Sequence, residues 1–299
     1  LKIKVMSEIQ KKLEKYIKTS DPQKSSHWAD NLKDANFKDI EKSFGFGETM
    51  KKRVLISPII FILQRLTYGW SIFVSKKYPL FKKFCDLQNK FIDNDVIRHI
   101  FTFNLLSKHN LLKGNICVIG DGKANFVGGL LLENKKVKIF SINLTEVLIH
   151  DYLILKKANL IKDKEICVVT NKKDLYEKNK KLFLIDASNL QKLENIKIDL
   201  FVNIASMQEM KTETIESYFK VIKKQNSYFY CCNRERKKLV GGEELIFENY
   251  PWGNSKIIFY EDCPWHKKFY SFNSLRDIFN PPYIVEYNGN VKHKLVKYL

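Results

Sequence analysis

The sequence lacks three features, each of which would point directly to one class of protein: a paired-cysteine motif, a long apolar run and an N-terminal leader pattern. Its six cysteines include no Cys-x-x-Cys spacing, and Cys117 and Cys167 lie within apolar runs, so we expect reduced thiols rather than disulfides or a metal site. The most apolar window, residues 54–74, is interrupted by Pro58 and Arg65, whereas a spanning helix needs about 20 mostly apolar residues. The first turns of the chain are rich in lysine and glutamate, unlike a signal peptide. We therefore expect a cytoplasmic protein without a membrane span.

Acidic residues are few relative to basic ones. The chain has 52 lysines and arginines against 33 aspartates and glutamates, which gives a formal net charge of +19. Such an excess suggests an acidic partner, such as nucleic acid, anionic lipid or an anionic glycan. The lysines are nevertheless spread along the chain in pairs such as Lys76-Lys77 and Lys223-Lys224, without a basic stripe or a nucleic-acid-binding motif. DNA or RNA is therefore not an expected partner, and a compositionally biased genome would give the same charge.

The N-terminal part of the chain has helical rather than strand periodicity. Apolar residues recur at helical spacing up to about residue 20 and again over residues 55–112, where the prolines and Gly69 are expected to interrupt the helices. The segment between them is polar, with a turn expected at residues 44–47. The sequence predicts an N-terminal helical lobe over residues 1–112.

Beyond Gly114 the pattern changes to short apolar runs that alternate with helical segments, which indicates a parallel sheet covered on both faces. The predicted strands span residues 116–119, 137–142, 166–169, 182–185, 198–204 and 227–232, and the predicted helices span 144–160 and 212–224. After Gly241-Gly242 the pattern becomes antiparallel, with strands expected at residues 245–247, 256–260 and 291–298 and a helical segment at 275–279. The fold class is therefore α/β, with a doubly wound, Rossmann-like domain over residues 113–299.

The first predicted strand of that domain runs into a Gly-x-Gly turn, Gly120-Asp121-Gly122. Such a turn lets a ligand approach the backbone closely, although ordinary strand-to-helix turns share it. A dinucleotide site would also have a third glycine, where Asn125 stands, and an acid at the end of the second strand, where Asn143 stands. A nicotinamide cofactor is therefore disfavoured. S-adenosylmethionine carries no pyrophosphate and does not require the third glycine.

Two later motifs are more specific. Asn203-Ile-Ala-Ser-Met-Gln-Glu-Met210 follows a predicted strand, and Asn233-Arg-Glu precedes Gly241-Gly-Glu243, followed by Tyr-Pro-Trp and Cys-Pro-Trp-His266 motifs. This succession resembles the sugar O-methyltransferase family, a group of class I-like enzymes that use S-adenosylmethionine and are associated with bacterial surface polysaccharides. The resemblance covers roughly residues 116–266. It implies a doubly wound methyltransferase sheet and methylation of a hydroxyl on a sugar or nucleotide-sugar.

The resemblance and the strand ends together indicate a set of cofactor-binding residues. We expect the methyl donor to contact the residues at the carboxyl ends of the predicted strands: Gly120, Asp121, Gly122, Asn143, Asp186 and Asn203. Each has an alternative, since Asp121 could instead cap the following helix and Asp186 could be an ordinary turn residue. Asn143 stands where many methyltransferases carry an acid, so nearby Glu146 is a possible substitute.

A sugar hydroxyl is a poor nucleophile and benefits from a general base or a metal ion. Glu209 and His266 are the candidate catalytic residues; alternatively, Glu209 could pair with a lysine or with Arg234, and His266 could be structural. We expect substrate contacts from Ser206, Asn233, Arg234 and Trp265, although Arg234 could equally belong to a surface charge network and Trp265 to the core. No cluster of histidines and carboxylates has metal-ligand spacing, so no metal ligands are predicted.

Two alternatives remain. The first is an NAD-dependent enzyme that processes nucleotide-sugars, which the missing Tyr-x-x-x-Lys motif and Asn125 disfavour. The second is a nucleic-acid-binding or scaffold protein built on a degenerate methyltransferase fold. The sugar, the methylated hydroxyl and the oligomeric state cannot be derived from the sequence.

Overall fold

The computed structural model describes residues 7–15, 24–32, 54–133, 136–272 and 274–299. In these ranges the α-helices are α1 (Glu8–Glu14), α2 (Ser26–Asn31), α3 (Ser57–Tyr68), α4 (Tyr78–Leu87), α5 (Asn94–Lys108), α6 (Asn125–Glu133), α7 (Thr145–Lys157) and α8 (Thr212–Lys223). None of them has the length and apolar character that crossing a bilayer requires. The turn expected at residues 44–47 lies outside the described residues.

Helices α3 to α5 begin and end at residues whose chemistry explains the boundary. Asp93 caps α5 by accepting a hydrogen bond from the Val96 N–H at 2.9 Å. Pro58 and Pro79 lie in the first turns of α3 and α4, where a missing N–H costs nothing, so they start helices instead of interrupting them as expected. Gly69 ends α3 with a φ of +79°.

The strands are β1 (Asn115–Ile119), β2 (Lys138–Asn143), β3 (Ile166–Val168), β4 (Leu182–Asp186), β5 (Leu200–Ile204), β6 (Tyr228–Arg234), β7 (Arg236–Lys238), β8 (Glu244–Ile246), β9 (Lys256–Asp262), β10 (Lys268–Tyr270), β11 (Ile284–Glu286) and β12 (Val291–Lys297). Eight of them form one sheet in the order β3-β4-β2-β1-β5-β6-β12-β9. The first six of that order are mutually parallel, and β12 runs antiparallel between β6 and β9. The predicted α/β class and Rossmann-like sheet are confirmed.

The sheet separates two cores, and its alternating side chains supply both. Ile116 and Val118 of β1 face a core shared with helices α3 to α6, whereas Cys117 and Ile119 face a core shared with α8. Because the helices of the N-terminal part share a core with the sheet, they are packed against one face of it. The division of the chain at residue 112 stays a prediction.

Several local predictions differ from the structure. Residues 275–279 are helical as expected, in a short 3-10 helix, but helix α2 lies in a segment for which no helix was predicted. Short strands β7, β10 and β11 were not predicted. Strands this short have too few residues to show an alternation in the sequence, and their hydrogen-bonding partners fix them instead.

The connections place a crevice between β1 and β5. Strand β1 leads through α6 to β2 on one side, and β5 lies on the other side of β1, so the chain direction across the sheet reverses there. In open α/β sheets ligands bind at such a point, outside the carboxyl ends of the strands. The loops after β1 and β5 are therefore where a site is expected.

Candidate functional site

The loop that joins β1 to α6 has a backbone that few side chains tolerate. Gly120, Gly122 and Ala124 have φ values of +73°, +67° and +50°. A Cβ atom at Gly120 would lie 1.9 Å from the Ser206 Oγ, so only glycine fits there, whereas a Cβ at Gly122 would point into open space. The loop thus packs against the β5 loop at Gly120 and is open at Gly122.

Two carboxylates, those of the half-buried Asp121 and the buried Asp151, hold this loop through its amide groups. Asp121 accepts hydrogen bonds from the N–H groups of Phe126 and Val127 at 3.1 and 2.8 Å. Asp151 of α7 accepts one from the Ala124 N–H at 2.9 Å. Burial raises the pKa of both carboxyls, and the charge of Asp121 raises that of Asp151 further. Asp121 therefore caps α6, which was one of the two roles expected for it.

Two cavities meet at this loop. The larger has a volume of about 370 Å³, and its lining includes charged and polar groups from the helical part and the sheet: His27, Asp95, Arg98, His99, Lys123, Asn125, Gln208, Glu209 and His266. The smaller is more apolar and is lined by Asn143, Leu144, Ala187, Met210, Thr214 and Tyr218. Trp28, Gly120, Gly122 and Ser206 line both. The cavities lie at the carboxyl ends of β1, β2 and β5.

Asn125 is the most unusual residue of the larger cavity. It stands at the position where a dinucleotide site has its third glycine, and its side chain is fully buried. Neither its amide oxygen nor its amide nitrogen has a hydrogen-bond partner within the described part of the chain. A buried amide left without partners costs about 1–3 kcal/mol, so a ligand in this cavity would stabilise it.

The two residues expected at the ends of the second and fourth strands differ in their surroundings. Asn143 lines the smaller cavity, and its amide oxygen accepts a hydrogen bond from the Leu144 N–H at 3.0 Å. Asp186 accepts hydrogen bonds from the Thr145 hydroxyl at 2.5 Å and from the Ser188 N–H at 3.0 Å, and it lines neither cavity. Its neighbour Ala187 lines the smaller cavity, and a cofactor contact from the Asp186 side chain stays a prediction.

Asn203, Ser206 and Asn233 form a hydrogen-bonded network behind the loop. The Asn203 amide donates to the Ile119 carbonyl and to the Ser206 hydroxyl, each at 3.0 Å, and accepts from the Asn233 amide at 2.8 Å. Asn233 also accepts from the Gln208 N–H at 3.1 Å. Asn203 and Asn233 are fully buried and line neither cavity, so they position the loops, and the ligand contacts expected of them stay a prediction. Ser206 does line both.

Glu209 lines the larger cavity, as expected of a candidate base. Its carboxylate lies 3.5 Å from His27 Nε2, and its side chain is 21% exposed. Helix α2, which carries His27 and Trp28, is fixed over the cavity because the Ser25 hydroxyl donates to the Glu209 carbonyl and Lys24 pairs with Glu146. The structure thus brings Glu209 together with residues of a segment that the sequence analysis left unassigned.

Helix α5 supplies the largest group of site residues that the sequence analysis missed. Asp95, Arg98 and His99 lie on one face of α5, at i, i+3 and i+4, and line the larger cavity. Lys123 of the glycine loop lies 2.8 Å from the Asp95 carboxylate and 3.7 Å from that of Asp93. Apolar periodicity predicts this helix but does not show which end of the sheet its polar face covers.

The charges of this group shift its pKa values. Burial alone would lower the pKa of Lys123, but the charges of Asp93 and Asp95 outweigh it and raise that pKa. Burial would raise the pKa of Asp95, yet Lys123 and Arg98 hold it well below its usual range. Burial lowers the pKa of His99, so this imidazole is neutral over a wider pH range. The cavity wall therefore contains a fixed ion pair beside a neutral histidine.

Arg234 and Trp265 line neither cavity, and the substrate contacts expected of them stay a prediction. The Arg234 guanidinium lies 4.9 Å from the Tyr287 ring centre, and Arg98 lies 4.8 Å from the same ring. Trp265 stacks on Phe101 of α5 with ring centres 5.3 Å apart. Tyr287, which was not predicted, lines the larger cavity between the two arginines.

His266 lines the larger cavity as expected, and its ring also contacts two cysteines. Its Nδ1 lies 3.1 Å from the Cys263 sulfur and 3.8 Å from the Cys232 sulfur. Both thiols are buried, and no cysteine of the described residues forms a disulfide, so reduced thiols stay a prediction. These three ligand atoms lie within 4.8 Å of one another, a grouping that the sequence did not predict. Cys232 is too far from the others in sequence for spacing to show the group.

Comparisons with known proteins give similarity only at the level of solved structures. No protein-family model matches the sequence, and a search of curated proteins finds no match. An S-adenosylmethionine-dependent methyltransferase from Clostridium acetobutylicum is 15% identical, with 81% of this chain and 98% of that chain covered and a TM-score of 0.40. A SAM-dependent methyltransferase from Aquifex aeolicus is 12% identical, with 66% and 89% covered and a TM-score of 0.35. MtNAS, solved in complex with MTA and tNA, is 8% identical, with 97% and 96% covered and a TM-score of 0.41. We base the functional proposal on the site itself.

Proposed function

We propose that this protein is an S-adenosylmethionine-dependent methyltransferase that methylates a hydroxyl of a sugar or nucleotide-sugar, as in surface polysaccharide biosynthesis. The choice of cofactor rests on the hydrogen bonds of the backbone amides in the loop after β1. Its amides at Ala124, Phe126 and Val127 already donate to the carboxylates of Asp151 and Asp121. A pyrophosphate would need such amides at the start of a helix, and here those amides already have acceptors. A cofactor without phosphate fits this loop better than NAD.

The residues present fit this donor. Gly122 leaves open space where a Cβ would stand, and the fully buried Asn125 amide next to it has no partner within the described residues. The smaller cavity, apolar between Leu144, Ala187 and Tyr218, has a volume of about 30 Å³, so it would widen to admit an adenine ring. Asn143 at its edge offers an amide to the ribose hydroxyls. The larger cavity then takes the amino acid end of the donor and the acceptor.

The chain's own contribution is to align the acceptor and to remove its proton. S-adenosylmethionine, when bound, supplies an electrophilic methyl group on a sulfonium. Glu209 is the proposed general base, because its carboxylate lines the larger cavity and can accept the proton of the acceptor hydroxyl there. His27, 3.5 Å from that carboxylate, orients it and balances its charge when protonated. Helix α2 covers the cavity and restricts water.

A sugar acceptor is supported by the mixture of groups around the larger cavity. Gln208, Glu209, Arg98 and His99 offer hydrogen-bonding groups to hydroxyls, and Trp28 offers an aromatic ring of the kind that stacks on sugar faces. The net charge of +19 suits an anionic acceptor, such as a diphosphate-linked sugar. The motifs at residues 203–210 and 233–243, which resemble those of sugar O-methyltransferases, support the same acceptor class.

Methyl transfer is tested directly with a donor that carries a labelled methyl group. The protein is incubated with this donor and with nucleotide-sugars, free sugars or short RNA, and the label is followed into each acceptor by mass spectrometry. We expect label on a sugar hydroxyl. Label on RNA alone would contradict the acceptor class but not the reaction, and no label on any acceptor, despite donor binding, would contradict transfer to sugars.

The base assignment is tested with a matched pair of variants. Glu209→Gln should lower kcat by about 10²–10⁴-fold, because it keeps the shape but cannot take a proton. Glu213→Gln, at an exposed position in the first turn of α8, should leave kcat unchanged. Equal rates for both variants at saturating donor would exclude Glu209 as the base.

A further inference from the structure

The group of Cys232, Cys263 and His266 is drawn from two parts of the fold. Cys232 lies on β6 in the central sheet, whereas Cys263 and His266 lie on the Cys-Pro-Trp-His turn that follows β9. Two hydrogen bonds fix this turn, from the Cys263 N–H to the Val291 carbonyl at 2.7 Å and from the His266 N–H to the Cys263 carbonyl at 3.1 Å. The turn therefore presents a thiol and an imidazole to the same side, facing β6.

The distances fit a shared metal ion. The His266 Nδ1 lies 3.1 and 3.8 Å from the two sulfurs, and all three atoms lie within 4.8 Å of one another. A tetrahedral zinc ion has Zn–S bonds of about 2.3 Å and Zn–N bonds of about 2.0 Å, which separates sulfur from nitrogen by about 3.5 Å. The two sulfur–nitrogen distances lie on either side of that value, so each differs from it by only a few tenths of an ångström.

The burial of Cys232, Cys263 and His266 also favours a bound metal ion. Cys232, Cys263 and His266 are 0%, 1% and 4% exposed. Two thiolates this close together in a buried position are unfavourable without a cation, because buried charges must be compensated. A divalent ion with two thiolates and a neutral imidazole has no net charge. Soft sulfur ligands with one imidazole are a donor set that suits zinc.

We propose that Cys232, Cys263 and His266 bind a zinc ion with three protein ligands, and that water takes the fourth position. The ion would join the turn after β9 to the central sheet beside the larger cavity. Because Nδ1 would bind the metal, the Nε2 of His266 would carry hydrogen and act as a hydrogen-bond donor on the cavity side. Zinc binding therefore leaves Glu209, not His266, as the residue able to accept a proton.

The test measures metal in the full chain, purified under reducing conditions without added chelator. We expect about one zinc per chain by elemental analysis. After removal of zinc, titration with Co²⁺ should give thiolate-to-cobalt charge-transfer absorption and the intense visible bands of tetrahedral cobalt. Cys263→Ser and Cys232→Ser should each lower the zinc content at least tenfold.

Cys231→Ser is the matched control. Cys231 is the neighbour of Cys232 on β6 and is equally buried, but it belongs to the core on the opposite face of the sheet. The Cys231→Ser variant should keep its zinc content and its cobalt absorption spectrum. A wild-type chain without thiolate-to-cobalt absorption would overturn the proposal, even if a variant fails to fold. So would equal loss of metal from Cys231→Ser and Cys232→Ser, or a Cys232–Cys263 disulfide that forms in place of metal binding.

Discussion

Gly120 and Ser206 are in such close contact that a methyl group on Gly120 would overlap the serine side chain. The added Cβ would lie 1.9 Å from the Ser206 Oγ and 2.4 Å from its Cβ. This contact joins the loop after β1 to the loop after β5 at the point where both cavities meet. The two loops therefore form one unit, and a change in either is transmitted to the site.

Gly120→Ala is expected to destabilise the protein by about 2–4 kcal/mol, since it combines a positive φ with a steric clash. Gly122→Ala has a similar φ, of +67°, but open space around the added methyl, so it should cost about 1 kcal/mol. Urea unfolding at pH 7 measures both. Equal losses would show that the contact with Ser206 does not restrict the loop.

Gly122→Ala also tests the position of the ligand. Its methyl would enter the space that we assign to the methyl donor, so donor affinity should fall at least tenfold while most of the stability is kept. Gly289→Ala is the control, because Gly289 has a φ of +85°, open space around it and no part in either cavity. Donor affinity unchanged in both variants would place the donor elsewhere.

Asp151 is expected to make stability depend on pH in an unusual direction. Burial raises its pKa well above the usual value, so the folded state binds a proton that the unfolded state releases. Its contribution is present in full below the unfolded pKa of about 4 and is lost as the pH rises through the folded value. Asp151→Asn keeps an acceptor oxygen for the Ala124 N–H but does not titrate.

The measurement compares unfolding free energies of the wild type and Asp151→Asn between pH 4 and pH 8. The wild type should lose stability relative to the variant as the pH rises. A difference that stays constant, or that changes in the opposite direction, would show that Asp151 is not a buried carboxyl of raised pKa.

Lys123 ties the glycine loop to helix α5 through Asp93 and Asp95. Its side chain is 5% exposed, whereas that of Asp95 is 44% exposed, so part of the pair remains solvated. Lys123→Met should lower the free energy of unfolding by about 1–3 kcal/mol at pH 7. Lys82→Met is the control, because Lys82 pairs with Asp86 on the surface of α4. This variant should lose less than about 0.5 kcal/mol of unfolding free energy. Equal losses by urea unfolding would show that the pairing of Lys123 with Asp93 and Asp95 does not hold α5 to the loop.

The sequence predicts the sheet well because its central strands are continuous apolar runs. The runs at Ile116, Leu182 and Leu200 stand out since parallel strands are buried on both faces. The same reasoning identifies the strand ends and therefore the glycine loop. Pro58 and Pro79 were misread because a proline is compatible with the first turn of a helix as well as with its end.

The site is harder to predict because its side chains come from distant segments. Asp95, Arg98 and His99 follow helical spacing, but the packing of α5 against α6 and the sheet decides which cavity they line. Asn203 and Asn233 stand at strand ends, where ligands bind, yet their amides hydrogen-bond each other instead. Whether a polar side chain at a strand end contacts ligand or protein depends on its neighbours in space.

The measurement that tests the central claim most directly is calorimetric titration of the full chain with S-adenosylmethionine and, separately, with NAD. The loop amides held by Asp121 and Asp151 predict binding of S-adenosylmethionine at one site per chain and no binding of NAD. Binding of NAD, or of neither compound, would contradict the account.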